Sequence, residues 1–211
     1  MPPRKRKAPA PPRRPPSRLE YQARLDGAWY SVRLVLQGGS LRVMYEEFPE
    51  ETDEWHDPGS ADLASPRGVA ALRARFRPVS RPLDDAGCAD LRPGQRLCVF
   101  CDISDLERKY YDAVLDSVKR APHDTVDGEE RCACRFRVRW TEGPRRGGWA
   151  EVGIADVTCV QDSSPVHDPV LTEFLDSVTK SFGSGDATAA SSQAAGVTSA
   201  PGGGEGRSAP V

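Results

Sequence analysis

Three residues near the middle of the chain, His123, Cys132 and Cys134, carry side chains that ligate zinc, and their spacing lets one simple element gather them. Two alternating segments, residues 111–119 and 132–140, flank an acidic loop around Asp127-Gly128 and predict a β-hairpin. His123 falls where the first strand ends, and the two cysteines fall where the second begins. A hairpin brings those ends together, and in a strand Cys132 and Cys134 share a face because side chains alternate. The chemistry predicted is a tetrahedral zinc site that lacks its fourth ligand.

That ligand must come from a neighbouring element. Upstream, Gln95–Cys101 (QRLCVFC) reads as a third strand, separated from Tyr110 by the polar stretch 102–109. If the two strands pair antiparallel about that stretch, opposite positions sum to about 211, an estimate from hairpin register alone. Cys88 then lies across from His123, with Cys98 or Cys101 as substitutes. The alternative is ordinary reduced cysteine in a core. Disulfides fit less well, because no apolar leader opens the chain and its basic start suggests a reducing, intracellular compartment.

The elements that would hold such a site are short strands. Residues 19–24 alternate, Asp26-Gly27 signals a turn, and residues 28–36 and 41–48 follow as strands about the turn at Gly38-Gly39. Close spacing of this kind predicts a small antiparallel barrel. A second β-unit of five short strands spans 88–160. Between the two, Ser65-Pro66 starts a helix over 67–75, although 72–77 alternates equally well as a strand. Asp168-Pro169 caps a helix to Phe182 whose apolar face, Leu171, Phe174, Leu175, Val178 and Phe182, is expected to pack on the barrels or to bind a partner. The divisions predicted are 1–18, 19–82, 83–165, 168–182 and 183–211.

Within the first unit stands a group of aromatic residues: Trp29, Tyr30, Tyr45 and Phe48, followed by Glu50, Glu51, Asp53 and Glu54. Two or three rings set at right angles bind a methylated ammonium by cation–π attraction, each contact contributing roughly 0.5 to 2 kcal/mol. The bordering acids suit a lysine-rich peptide. Plain core packing is the alternative. Tyr110, Tyr111, Trp140 and Trp149 read as core and barrel-rim residues.

With 211 residues, 38% hydrophobic and 28% charged, the chain is globular but lean. Both ends read as disordered: 1–18 is proline-rich and its charged side chains are all basic, and 183–211 is low-complexity. Arg4-Lys5-Arg6-Lys7, with Arg13 and Arg14, reads as a nuclear localisation signal. The net charge of −2 therefore hides a more acidic body, a poor grip for nucleic acid and a plausible one for a basic peptide. No apolar run approaches the ~20 residues that span a membrane.

Taken together, Glu20-Tyr21, Gly27-Ala28-Trp29-Tyr30, Tyr45-Glu46-Glu47-Phe48 with Asp53-Glu54-Trp55, Cys88 with Gly94, Tyr110-Tyr111-Asp112-Ala113, and His123 with Cys132-Ala133-Cys134 resemble the plant SAWADEE domain over 19–160. The resemblance implies a tandem Tudor-like, all-β fold with a structural zinc in the second module. It also implies reading of histone H3 methylated at lysine 9 with lysine 4 unmodified. Carried over, the methyl-lysine cage falls on Tyr30, Tyr45 and Phe48, the zinc ligands on Cys88, His123, Cys132 and Cys134, and part of an acidic lysine 4 pocket on Glu20. Ser31 stands where the family often has an acid.

The functional expectation is a nuclear reader of the H3 tail, linked to gene silencing or RNA-directed DNA methylation, with partners such as RNA polymerase IV or chromatin remodellers. The alternative is a scaffold of the same fold that recruits such machinery without reading methyl-lysine. No homeodomain is visible, so sequence-specific DNA binding is not expected. An enzyme is not expected either: no Ser-His-Asp order, phosphate loop or paired carboxylate motif is evident, and His56 and His167 read as loop residues.

Overall fold

Turn chemistry sets the first unit. In the computed structural model, which describes residues 18–161 and 166–183, β1 (Leu19–Gln22) turns through Gly27 (φ +70°) into β2 (Trp29–Gln37). Gly38 and Gly39, at φ +62° and +87°, close the tight hairpin to β3 (Ser40–Tyr45), because left-handed backbone at both turn positions matches the strand twist. β4 (Glu54–His56) adds to the far edge of β3, and Phe48 lies in the turn between them rather than on β3.

The helix and strand signals between the units both prove real, in succession. α1 (Pro66–Arg73) starts where Ser65 Oγ accepts the Gly68 N–H, and β5 (Phe76–Pro78) then pairs with β1. Gly68 is required there, since a Cβ would stand 1.8 Å from the Asp62 carbonyl oxygen. β6 (Arg81–Pro82) already pairs with the second unit.

In that unit β7 (Arg96–Ser104) and β8 (Glu107–Lys119) form one long hairpin, so the polar stretch 102–109 is strand on both sides of a two-residue turn, not a loop. Arg96 pairs with Val114 and Val99 with Tyr111, one position from the estimated register. The central hairpin is also more elaborate than predicted. β9 (Asp124–Val126) and β10 (Glu129–Arg131) form a separate two-stranded ribbon about Asp127-Gly128, and Cys132 and Cys134 precede β11 (Arg135–Trp140) instead of lying in it. β12 (Trp149–Val152) and β13 (Val157–Cys159) complete the unit.

The two units share one sheet through a junction at Trp29↔Tyr110, where β2 meets β8. Each has its own apolar centre. One gathers Tyr21, Val32, Leu41, Val43 and Phe76; the other gathers Leu97, Val99, Leu115, Phe136 and Trp140. α2 (Pro169–Gly183), capped by the Asp168 carboxylate, buries Leu171, Phe174, Leu175 and Val178 in the first centre. Its apolar face is thus spent on the fold. No described helix is long and apolar enough to cross a membrane. The basic cluster at 4–7 and the segment from 184 onward lie outside the described residues.

Candidate functional site

Adjacent residues on β2 must face opposite ways, and Trp29 and Tyr30 do. Tyr30 shares its face with the core residues Val32 and Leu34 and is half-buried at its edge, whereas Trp29 is buried on the opposite face, where the Arg77 guanidinium lies over its ring. Tyr45 ends β3 diagonally across from Tyr30, since its direct partner is Val32. Phe48 folds back from the following turn. The three ring centroids stand 5.4, 5.4 and 6.1 Å apart, and the ring planes cross at 84°, 89° and 75°. Three nearly perpendicular π faces thus form three walls around one space.

Hydrogen bonds fix the walls. The Tyr30 hydroxyl donates to Asp26 at 2.7 Å, and the Tyr45 hydroxyl donates to Glu54 at 2.7 Å. Glu54 also accepts the Tyr21 hydroxyl and the Arg24 N–H, both at 2.8 Å. Burial, reinforced by these carboxylates, drives the Tyr21, Tyr30 and Tyr45 hydroxyls well above their usual pKa, so they remain donors. Burial opposes ionisation of Asp26, but the Ala28 N–H, the Tyr30 hydroxyl and Lys109 outweigh it and hold the carboxyl below its usual range.

The resulting pocket encloses about 540 Å³. The second unit also lines it, with Leu106 from the β7–β8 turn and Lys109 from the start of β8, and Leu25 is on the lining too. Leu25 and Leu106 are 96% and 99% exposed, an apolar rim that folding alone does not call for. Sequence reasoning missed this part of the lining because only tertiary structure brings a turn some sixty residues downstream of Phe48 to the pocket.

Glu20 is placed elsewhere. It is buried, with its carboxylate bound to Arg77 Nε at 2.7 Å and to the Ser80 N–H at 2.8 Å, and it does not line the aromatic pocket. Ser31 lies across from it on β2. His56, read from sequence as a loop residue, is buried at the end of β4.

The second constellation gathers the four expected ligands. Cys88 comes from the short 3-10 turn Ala86–Asp90, not from a strand, and meets His123, Cys132 and Cys134 with all ligand atoms within 4.8 Å of one another. Cys88 Sγ lies 3.9 Å from Cys134 Sγ, and His123 Nε2 lies 3.2 and 3.4 Å from those two sulfurs. A zinc tetrahedron with ~2.3 Å arms to sulfur has edges of about 3.8 Å, so this donor set fits a metal ion of that size and softness. His123 Nδ1 bonds the Glu130 carboxylate, the partner that orients a ligating imidazole. Burial works against a Cys134 thiolate, but the Ala121 N–H and neighbouring donors bring its pKa down to about 7. Cys98 and Cys101 are buried on β7 outside this cluster, so of the three candidate cysteines Cys88 is the one that meets His123, Cys132 and Cys134.

A family model described as the SAWADEE domain matches residues 15–158. The chain is also similar to solved structures of the SHH1 SAWADEE domain. One is a selenium-substituted mutant from Arabidopsis thaliana, with a TM-score of 0.51 at 21% identity, covering 69% of this chain and 98% of that one. Another, with the same score, identity and coverage, is that domain in complex with an H3K9me3 peptide. No curated protein matches.

Proposed function

Because the chain belongs to the SAWADEE domain family, we propose that it is a nuclear chromatin reader that takes the methylated lysine 9 of the histone H3 tail into the Tyr30–Tyr45–Phe48 pocket. The observation that carries this reading is the mutual perpendicularity of those three rings at 5.4–6.1 Å around an open space of about 540 Å³. A methylated ammonium keeps its charge but loses N–H donors, so it gains from ring faces what it no longer gains from carboxylates or water. Support also comes from the SHH1 domain, solved with an H3K9me3 peptide on the same fold.

The Asp26 and Glu54 carboxylates are taken up by the tyrosines, Arg24 and Lys109, so their role here is to orient rings rather than to grip the peptide. Cys88, His123, Cys132 and Cys134 would hold a structural Zn²⁺. Four protein ligands leave no open position, so the ion would supply folding energy rather than catalysis. The wider role proposed is gene silencing of the RNA-directed DNA methylation type, with the basic 4–7 cluster as the nuclear import signal.

Titrating the zinc-loaded chain with H3 tail peptides, unmodified and methylated at lysine 9, tests the reading. Methyl-dependent binding that disappears in Tyr45→Ala is the expected result. A folded, zinc-loaded chain that binds none of the peptides overturns it and leaves a recruiting scaffold as the function.

A further inference from the structure

The average charge of the chain conceals a local concentration. Along β11 the sequence Arg135-Phe136-Arg137-Val138-Arg139-Trp140 alternates strictly, with Phe136, Val138 and Trp140 buried and all three arginines exposed. Alternate residues on a strand stand about 6.6 Å apart, so the three guanidinium stems rise at regular intervals over about 13 Å. The register extends the charge sideways. Lys119 is across from Arg135 on β8, and Arg96, Val114, Arg139 and Trp149 form one row over four strands. Among the described residues this face carries five cations against the carboxylates of Asp112, Asp116 and Glu151, and the largely buried Asp112 carboxylate lies 4.0 Å from Arg96. Of these, Asp116 lies 3.7 Å from Arg137, an exposed pair of little energetic consequence.

An aromatic ring completes the face. Trp149, on the edge strand β12, is 50% exposed, and the Arg137 guanidinium lies 4.7 Å from its ring centroid. The exposed arginines therefore stand beside a large indole left half in water. Regularly spaced cations with an accessible aromatic at the border are what a phosphodiester backbone and an unpaired base require. The face is also separate from the aromatic pocket, since its nearest row crosses β8 at Val114, about 16 Å along the strand from Lys109.

We propose that this outer face of β7, β8, β11 and β12 binds single-stranded nucleic acid without regard to sequence. Arg135, Arg137 and Arg139 contact successive phosphates, and a base stacks on Trp149. The proposal is independent of peptide reading. It is compatible with the expectation that the chain does not read DNA sequence, because backbone contacts carry no base information.

The test uses the full chain with Arg4, Lys5, Arg6 and Lys7 all changed to alanine, so that the basic N-terminal cluster does not dominate. Fluorescence anisotropy measures binding of a labelled mixed-sequence single strand at several salt concentrations. Arg137→Glu with Arg139→Glu is expected to weaken binding at least tenfold and to flatten the plot of log K against log salt by about 1.4, two phosphates at ~0.7 each. Trp149→Ala is expected to weaken the single strand about tenfold, within the range for one stacked base, and to leave the thermal melt unchanged. Unchanged affinity in the arginine variant overturns the proposal. So does tighter binding of the duplex of the same sequence, or equal competition by a poly-glutamate peptide, which would mark the face as a site for an acidic partner.

Discussion

The guanidinium carbon of Arg77 lies 3.6 Å from the centroid of the Trp29 ring. The same guanidinium donates to Glu20 and to Asp112, both at 2.7 Å, so one buried cation on β5 ties β1 of the first unit to β8 of the second. It stands beside the Trp29↔Tyr110 pair, the junction of the two units within the sheet. The aromatic pocket is lined by both units, and this cluster is one of the contacts that join them, as is the Lys109–Asp26 ion pair at the pocket itself.

Arg77→Ala strands two buried carboxylates and is expected to destabilise the fold by about 3–5 kcal/mol, seen as a lower midpoint in urea. Arg77→Lys restores little, because an ammonium cannot bridge two carboxylates and stack on an indole at once. Glu20→Gln is expected to lower stability while leaving methyl-peptide affinity unchanged; selective loss of peptide affinity in that variant would return Glu20 to the binding site.

Phe48 is 48% exposed, so its truncation opens no core cavity. Phe48→Ala is expected to weaken binding of the methylated peptide by about 5- to 30-fold, equivalent to about 1–2 kcal/mol for one lost ring face, with an unaltered melting temperature. Tyr45→Phe keeps the ring and loses only the bond to Glu54, so calorimetric titration is expected to show a smaller loss.

A strong chelator, or Cys132→Ser, is expected to collapse the second apolar centre, because the binding energy of a structural metal is folding energy. Near-ultraviolet circular dichroism reports this through buried Trp140. A chelated chain that keeps its full signal and melting temperature would exclude a structural metal at Cys88, His123, Cys132 and Cys134.

Burial depresses the His56 imidazole to about pKa 4, and its Nε2 stands 3.2 Å from the Tyr21 hydroxyl. Folded His56 is therefore neutral where the unfolded chain takes up a proton, near pH 6.5. Its contribution is complete above about pH 6.5 and is lost as pH falls toward 4, at up to about 1.4 kcal/mol per pH unit. Other groups also titrate as the pH falls, so the measurement is the difference in unfolding free energy between the wild type and His56→Gln. Parallel pH profiles for the two would refute the assignment.

Much of both constellations is legible locally. Tyr30 and Tyr45 meet because a tight hairpin at Gly38-Gly39 makes them diagonal neighbours, and hairpin register follows from turn length. Cys88 emerges from register arithmetic one position off, even though the residue sits in a 3-10 turn beyond the ladder, because the β7–β8 hairpin sets the direction in which both flanking chains leave. Alternation, turn glycines and donor chemistry act over a few residues, so most of the strands, the aromatic group and the ligand types could be read from the chain, while the choice of Tyr30, Tyr45 and Phe48 within that group came from the family resemblance. Tertiary structure alone decided the burial of Glu20 against Arg77, the placing of Leu106 and Lys109 on the pocket lining, and the concentration of cations on one outer face. Each depends on which distant strands pair, and that is set by the shared burial of two apolar centres rather than by any local pattern.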